Sequence, residues 1–256
     1  MNKIFRLSRF WRLFSKHTAE HYGAYLMSVA VLAGVMLLGG AFIVFLIPGP
    51  MDAGFQSVVF VILMLISGTI FSSTVFSDLG DKRKAIPAMT LPATQLEKFM
   101  VGWVYAYPIF MMFYTCIFYL VLMGLISLKQ WPGHHTEVLT IFQGRIYIML
   151  ILFTFLQAIS LFGAVFFEKM HFIKTGFCFF VGYAVIILFN TIYLKIAVGP
   201  NIKPAIPFGT LNFIESGKDY ALGTSDTDTI WIFGLLMLLA ILFWFATYFR
   251  IKEKQI

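Results

Sequence analysis

Six apolar runs, near residues 24–47, 55–76, 99–127, 145–167, 175–197 and 230–248, decide what this chain can become. Each is long enough to cross about 30 Å of hydrocarbon as an α-helix. A bilayer core offers no water to backbone N–H and C=O groups, so only helices and closed barrels span it. The runs are continuous rather than alternating in ten-residue segments, which excludes the barrel. Composition agrees, since 60% of the residues are apolar and only 12% charged, where soluble chains carry about 25% charge. The expectation is an all-α integral membrane protein with six transmembrane helices.

Charge sets the orientation, because short loops rich in Lys and Arg are not translocated. Fourteen of the 19 Lys and Arg fall in alternate segments: residues 1–23, the loop 77–98, the loop holding Lys169 and Lys174, and the tail 249–256. Both termini are therefore expected in the cytoplasm, with Asp52, Glu137 and Asp219 outside. The net charge of +7 follows from this bias and from attraction to anionic headgroups, so no nucleic-acid binding is inferred from it. Residues 1–23 precede a run about twice the length of a signal h-region, with no A-x-A site after it, and read as an amphipathic interfacial helix. On a helix Ile4, Leu7, Phe10, Trp11 and Phe14 share one face, and Arg6, Arg9, Arg12 and Lys16 the other. A basic retention signal without structure is the alternative.

Several chemistries are missing. The chain has no G-x-x-x-x-G-K-[ST], G-x-G-x-x-G or G-x-S-x-G, hence no recognisable phosphate cradle or nucleophile elbow. From Tyr22 to Ser77 only Asp52 is charged, so no ion-coupling group is placed at mid-membrane there. Cys116 and Cys178 lie within spans and read as small buried hydrophobes. His17-Thr18-Ala19-Glu20-His21 matches H-x-x-E-H, two histidines one turn apart with a glutamate, and Glu97 offers a third ligand. Without a soluble domain to form a cleft, interface residues are the better reading. His134, His135 and Glu137 stand beside Pro132 and Gly133 and read as solvated turn residues. No enzyme activity, cofactor or metal is expected of this chain.

Polar residues inside the spans carry two readings. Ser67, Thr69, Gln157, Ser160 and Asn190 are candidates for lining a translocation path, whereas such groups more often bond across helices or to their own backbone. Gly34, Gly39, Gly40, Gly68, Gly163, Gly176 and Gly182 suit close helix contact.

The segment SDLGDKRKAIPAMTLPATQLEKF, residues 77–99, interrupts this pattern with seven charges and two prolines. Gly80 reads as a C-cap of the second span, and Pro87 and Pro92 bar one helix from running through. Thr94-x-x-Glu97 is a capping box, so the third helix starts before its apolar run. A short, rigid element at the inner surface is expected, which a cytoplasmic partner can grip.

Six spans in about 250 residues, the basic amphipathic N-terminus, this charged element and the Pro/Gly-rich segment 198–229 resemble the permease subunits of type-2 ABC exporters. Phe76-Ser77-Asp78-Leu79 and Leu91-Pro92-Ala93-Thr94-Gln95-Leu96-Glu97-Lys98-Phe99 are similar to bacterial members of that family. The resemblance implies a permease in the bacterial cytoplasmic membrane, paired with a second permease subunit and coupled through loop 77–98 to a separate ABC ATPase subunit. Asp78, Asp81, Lys82, Arg83, Lys84, Thr94, Glu97 and Lys98 would then be the coupling residues. It also implies that segment 198–229 is a re-entrant outer element, a surface loop being the equal alternative. A non-transporting membrane anchor is the second functional reading. The substrate is left open among lipid, peptide and drug-like amphiphile.

Overall fold

In the computed structural model, which describes residues 5–46, 49, 52–80, 93–128, 137–140, 146–199, 202–215, 218–223 and 226–254, six helices are long and apolar enough to cross a membrane. The protein is an all-α, multi-pass membrane protein. Helix α1 (Leu7–Leu46) runs 40 residues unbroken, about 60 Å at the usual rise. The basic N-terminal segment and the first span are thus one helix, and the expected boundary at residue 23 falls inside it. No Pro interrupts this stretch.

Helix α2 (Ala53–Val75) starts where the carboxylate of Asp52 accepts the N–H of Phe55 at 3.1 Å. It ends at Phe76 and is followed by the short helix α3 (Ser77–Gly80). Helices α4 (Gln95–Val104) and α5 (Phe110–Leu128) form one span, joined by a π-helical turn over Tyr105–Ile109. Pro108 lies within that turn. It has no N–H for the helix ladder, and the wider turn absorbs the defect. Ser72 Oγ reaches the Ala106 carbonyl at 3.5 Å. Helix α6 (Ile146–Phe166) is central, with α2, α7 (His171–Ala197) and α8 (Asp226–Glu253) all packed on it.

Within segment 198–229 the described residues form an antiparallel hairpin, β1 (Leu211–Glu215) with β2 (Lys218–Leu222). Leu211 faces Leu222 and Phe213 faces Tyr220, whose rings stack at 5.5 Å. Pro204 and Pro207 stand ahead of the hairpin and bar a helix from running through residues 200–207. Asn190 Nδ2 of α7 donates to the Ala205 carbonyl at 2.9 Å and ties the segment to the bundle.

Two cores fill the bundle. Phe60, Met64, Tyr114, Phe118, Leu139 and Phe153 belong to one, and Phe76, Phe99, Tyr105, Leu161, Val165 and Ile251 to the other. The second lies toward the end that carries both termini, where Arg6 meets Glu97 and Lys254 meets Val165. At the opposite end the buried amide of Gln56 clamps the connection after α5. Its Nε2 donates to the Glu137 carbonyl at 2.8 Å, and its Oε1 accepts the Leu139 N–H at 2.9 Å. Of the small-residue positions, Gly40, Gly68 and Gly163 sit against Leu125, Phe153 and Thr175, whereas Gly34, Gly39, Gly176 and Gly182 meet no described neighbour.

Candidate functional site

The charged segment 77–98 is held at both described ends, by different helices. Its first anchor is Gly80. A Cβ there would strike the carbonyl oxygens of Ala164 and Phe167 and the ring of His171, so only glycine fits α3 against the α6–α7 corner. Lys254, at the end of α8, reaches over the same corner. Its Nζ donates to the Val165 carbonyl at 2.7 Å and to the Gly80 carbonyl at 3.4 Å. A lysine here meets the unsatisfied carbonyls and negative dipole end that a helix C-terminus presents. Gly80 is therefore a point of close approach, and the cap of α2 is Phe76.

The second anchor is the capping box. Thr94 Oγ1 accepts the Glu97 N–H at 3.3 Å and Glu97 Oε2 accepts the Thr94 N–H at 2.8 Å, as the sequence spacing predicts. Glu97 does more than cap. Its Oε1 also accepts the backbone N–H of Arg6 at 2.9 Å and lies 3.2 Å from Arg9 Nη2. With Glu97 wholly buried, one carboxylate closes the N-termini of two helices and neutralises an arginine of α1.

Leu7 and Trp11 are exposed, while Phe10, Leu13, Phe14 and Tyr25 pack against the core. The ring of Phe14 stacks on Tyr105 at 4.8 Å, and Tyr105 on Tyr25 at 5.1 Å. Thr18 Oγ1 is hydrogen-bonded to the hydroxyl of Tyr105. Tyr105 is the first residue of the π-helical turn. The H-x-x-E-H residues join the same contact. His17 Nε2 bonds the Tyr25 hydroxyl at 2.6 Å, His21 stacks on His17 at 4.4 Å, and Glu20 pairs with Lys16 at 3.6 Å. Glu97 is taken up by Arg6, Arg9 and Thr94, and no three His, Cys, Asp or Glu among the described residues form a metal-binding group.

Of the other sequence candidates, Asp78 lies in α3 and Lys98 is buried in the first turn of α4. Asp81, Lys82, Arg83 and Lys84, with His134 and His135, lie outside the described residues. The polar span residues separate. Ser67, Thr69 and Ser160 donate to the Leu63, Leu65 and Leu156 carbonyls of their own helices. Gln157 alone sits in an inter-helix polar cluster, its Oε1 accepting Trp244 Nε1 at 3.1 Å. Neither cysteine is buried; both Cys116 and Cys178 are exposed on the helix surfaces. Gly80, Arg6, Arg9 and Lys254 escaped the sequence reading as partners. The one legible hint was basic residues clustering at each chain end, opposite acidic or helix-terminal positions.

No family model, curated protein or solved structure matches the chain.

Proposed function

We propose that this chain is the membrane-spanning permease subunit of an ATP-binding-cassette exporter, and that segment 77–98 couples it to a separate ATPase subunit. The observation that supports the reading is the double anchorage of that segment. Its start is lodged by Gly80 and Lys254 in the corner of α6, α7 and α8, and its end is lodged by Glu97 on α1. A push delivered to such an element moves helices, whereas a tethered but unpacked loop would absorb it. The chain brings no nucleotide-binding motif of its own, so the energy source lies in a partner. A second copy, or a homologous permease, would complete the path, and both termini face the cytoplasm of a bacterial cell.

The test is isolation of the affinity-tagged chain from its native membranes, followed by photolabelling with an azido-ATP analogue. A co-isolated polypeptide that labels, and that cross-links to a cysteine placed at position 81 or 83, is the expected result. A chain isolated without any nucleotide-labelled partner would instead indicate the anchoring role.

A further inference from the structure

We propose that Trp103, Tyr107, Thr154, Gln157 and Trp244 form a binding site for an uncharged amphiphile, which presents an ester or amide carbonyl oxygen to two buried N–H donors. The site stands apart from the coupling reading and holds whether or not the chain transports its ligand.

Thr154 Oγ1 donates to the Leu150 carbonyl at 2.8 Å, so the Tyr107 hydroxyl, 2.8 Å from Thr154 Oγ1, is the donor of that pair. Trp244 Nε1 donates to Gln157 Oε1. That bond fixes the amide's orientation and commits its acceptor. What is left unsatisfied in the cluster is donors. Gln157 Nε2 and Trp103 Nε1 are buried and no described residue accepts from either. Gln157 is wholly buried at the middle of α6. In hydrocarbon a buried N–H without an acceptor is costly, and natural proteins rarely leave one so.

Trp103 belongs to an array of rings that includes Trp244, the residue bonded to Gln157. Trp103 meets Trp244 edge to face at 5.5 Å and Tyr107 at 5.7 Å, and Tyr107 meets Trp244 at 6.2 Å. The three rings are half-buried, so the array reaches the lateral surface of the bundle between the π-turn and α8. Rings of this kind offer an apolar wall to an acyl chain and an N–H to its polar head. The chemistry of the ligand follows from what is missing. No ionisable acid or base other than the Tyr107 phenol stands in the cluster. An anion or a cation would be buried there without a countercharge. A neutral carbonyl is the acceptor that fits.

Such a carbonyl can come from the glycerol esters of the bilayer or from a free single-chain amphiphile. The experiment uses the full chain with the tryptophans at positions 11, 131 and 231 replaced by Phe. It is placed in nanodiscs of ether-linked phosphatidylcholine, which lacks ester carbonyls. Trp emission is followed on adding a brominated monoacylglycerol or a brominated alkane of equal length. Saturable quenching by the ester alone is expected, with half-saturation raised about 3- to 10-fold by Gln157→Leu and again by Trp103→Phe, the contribution of one hydrogen bond each. Repetition in ester-linked nanodiscs separates the sources. Loss of saturable quenching there identifies the bilayer lipid as occupant, and its persistence identifies selection of the free amphiphile. Equal quenching by ester and alkane, or two folded variants that bind as the parent does, would overturn the proposal and leave the donors to an internal water.

Discussion

Arg9 Nη2 stands 3.2 Å from Glu97 Oε1, joining the first turns of α1 to the first turn of α4 through a carboxylate that is fully buried. The same oxygen takes the Arg6 N–H and its neighbour takes the Thr94 N–H. Replacing Glu97 by Ala strips an acceptor from all three at once. Local destabilisation of about 1 to 3 kcal/mol is expected, the cost of stranding buried donors. Hydrogen exchange reads it out. The amides of Arg6 and Thr94 should both exchange about 5- to 150-fold faster, because each 1.4 kcal/mol is a factor of ten. Acceleration at Thr94 alone would mean that Glu97 serves only as a cap.

Gly80→Ala should behave differently from Gly34→Ala. The first drives a methyl into two carbonyls and the His171 ring, and overpacking of this sort costs about 1 to 3 kcal/mol. The second adds a methyl where no described atom lies within 4 Å, inside a helix in which Ala is favoured over Gly by about 0.5 to 1 kcal/mol. Thermal unfolding in one detergent should therefore lower the midpoint for the first and hold or raise it for the second. Equal midpoints would remove Gly80 as an anchor.

At the opposite end, Gln56→Leu leaves the Glu137 carbonyl and the Leu139 N–H without their partner. A cysteine introduced at position 138 should react faster with a membrane-impermeant maleimide in that variant, as residues 137–140 come off the bundle. An unchanged rate would show that Leu139, buried in the core and held also by Tyr119 through its carbonyl at 2.6 Å, suffices alone.

Topology gives a fourth expectation. Single cysteines at positions 3, 81, 169 and 252 should label only from the cytoplasm, and those at 52, 137 and 219 only from outside, given the 14-to-5 split of basic residues and an even number of spans. Labelling of 81 and 219 from one side would reverse the account.

Much of the architecture was legible because apolar run length is a strong signal in membrane chains: the third to fifth spans begin and end close to α4–α5, α6 and α7. The capping box was legible too, being a local pattern four residues long. What escaped was non-local. Nothing in the amphipathic spacing of residues 4–16 says that Glu97 draws Arg9 inward and leaves Leu7 and Trp11 exposed, since helical periodicity shows two faces without naming the partner of either. Lys254 read as one more basic tail residue until its contact with Val165 fixed its role. The hairpin at Leu211–Leu222 was hidden by an apolar patch too short to distinguish strand from helix by period.

The central claim, that segment 77–98 carries a partner's ATP-driven cycle into the helices, is tested most directly by ATP turnover of the complex isolated from native membranes and reconstituted in liposomes. Parent, Glu97→Gln and Lys254→Met are compared at equal recovery of both subunits. The account predicts that the complex assembles in all three and that hydrolysis continues. It predicts that the parent's stimulation by transported amphiphile is lost when either anchor is weakened. Undiminished stimulation in both variants, or a chain that co-isolates with no ATP-hydrolysing subunit, would contradict it.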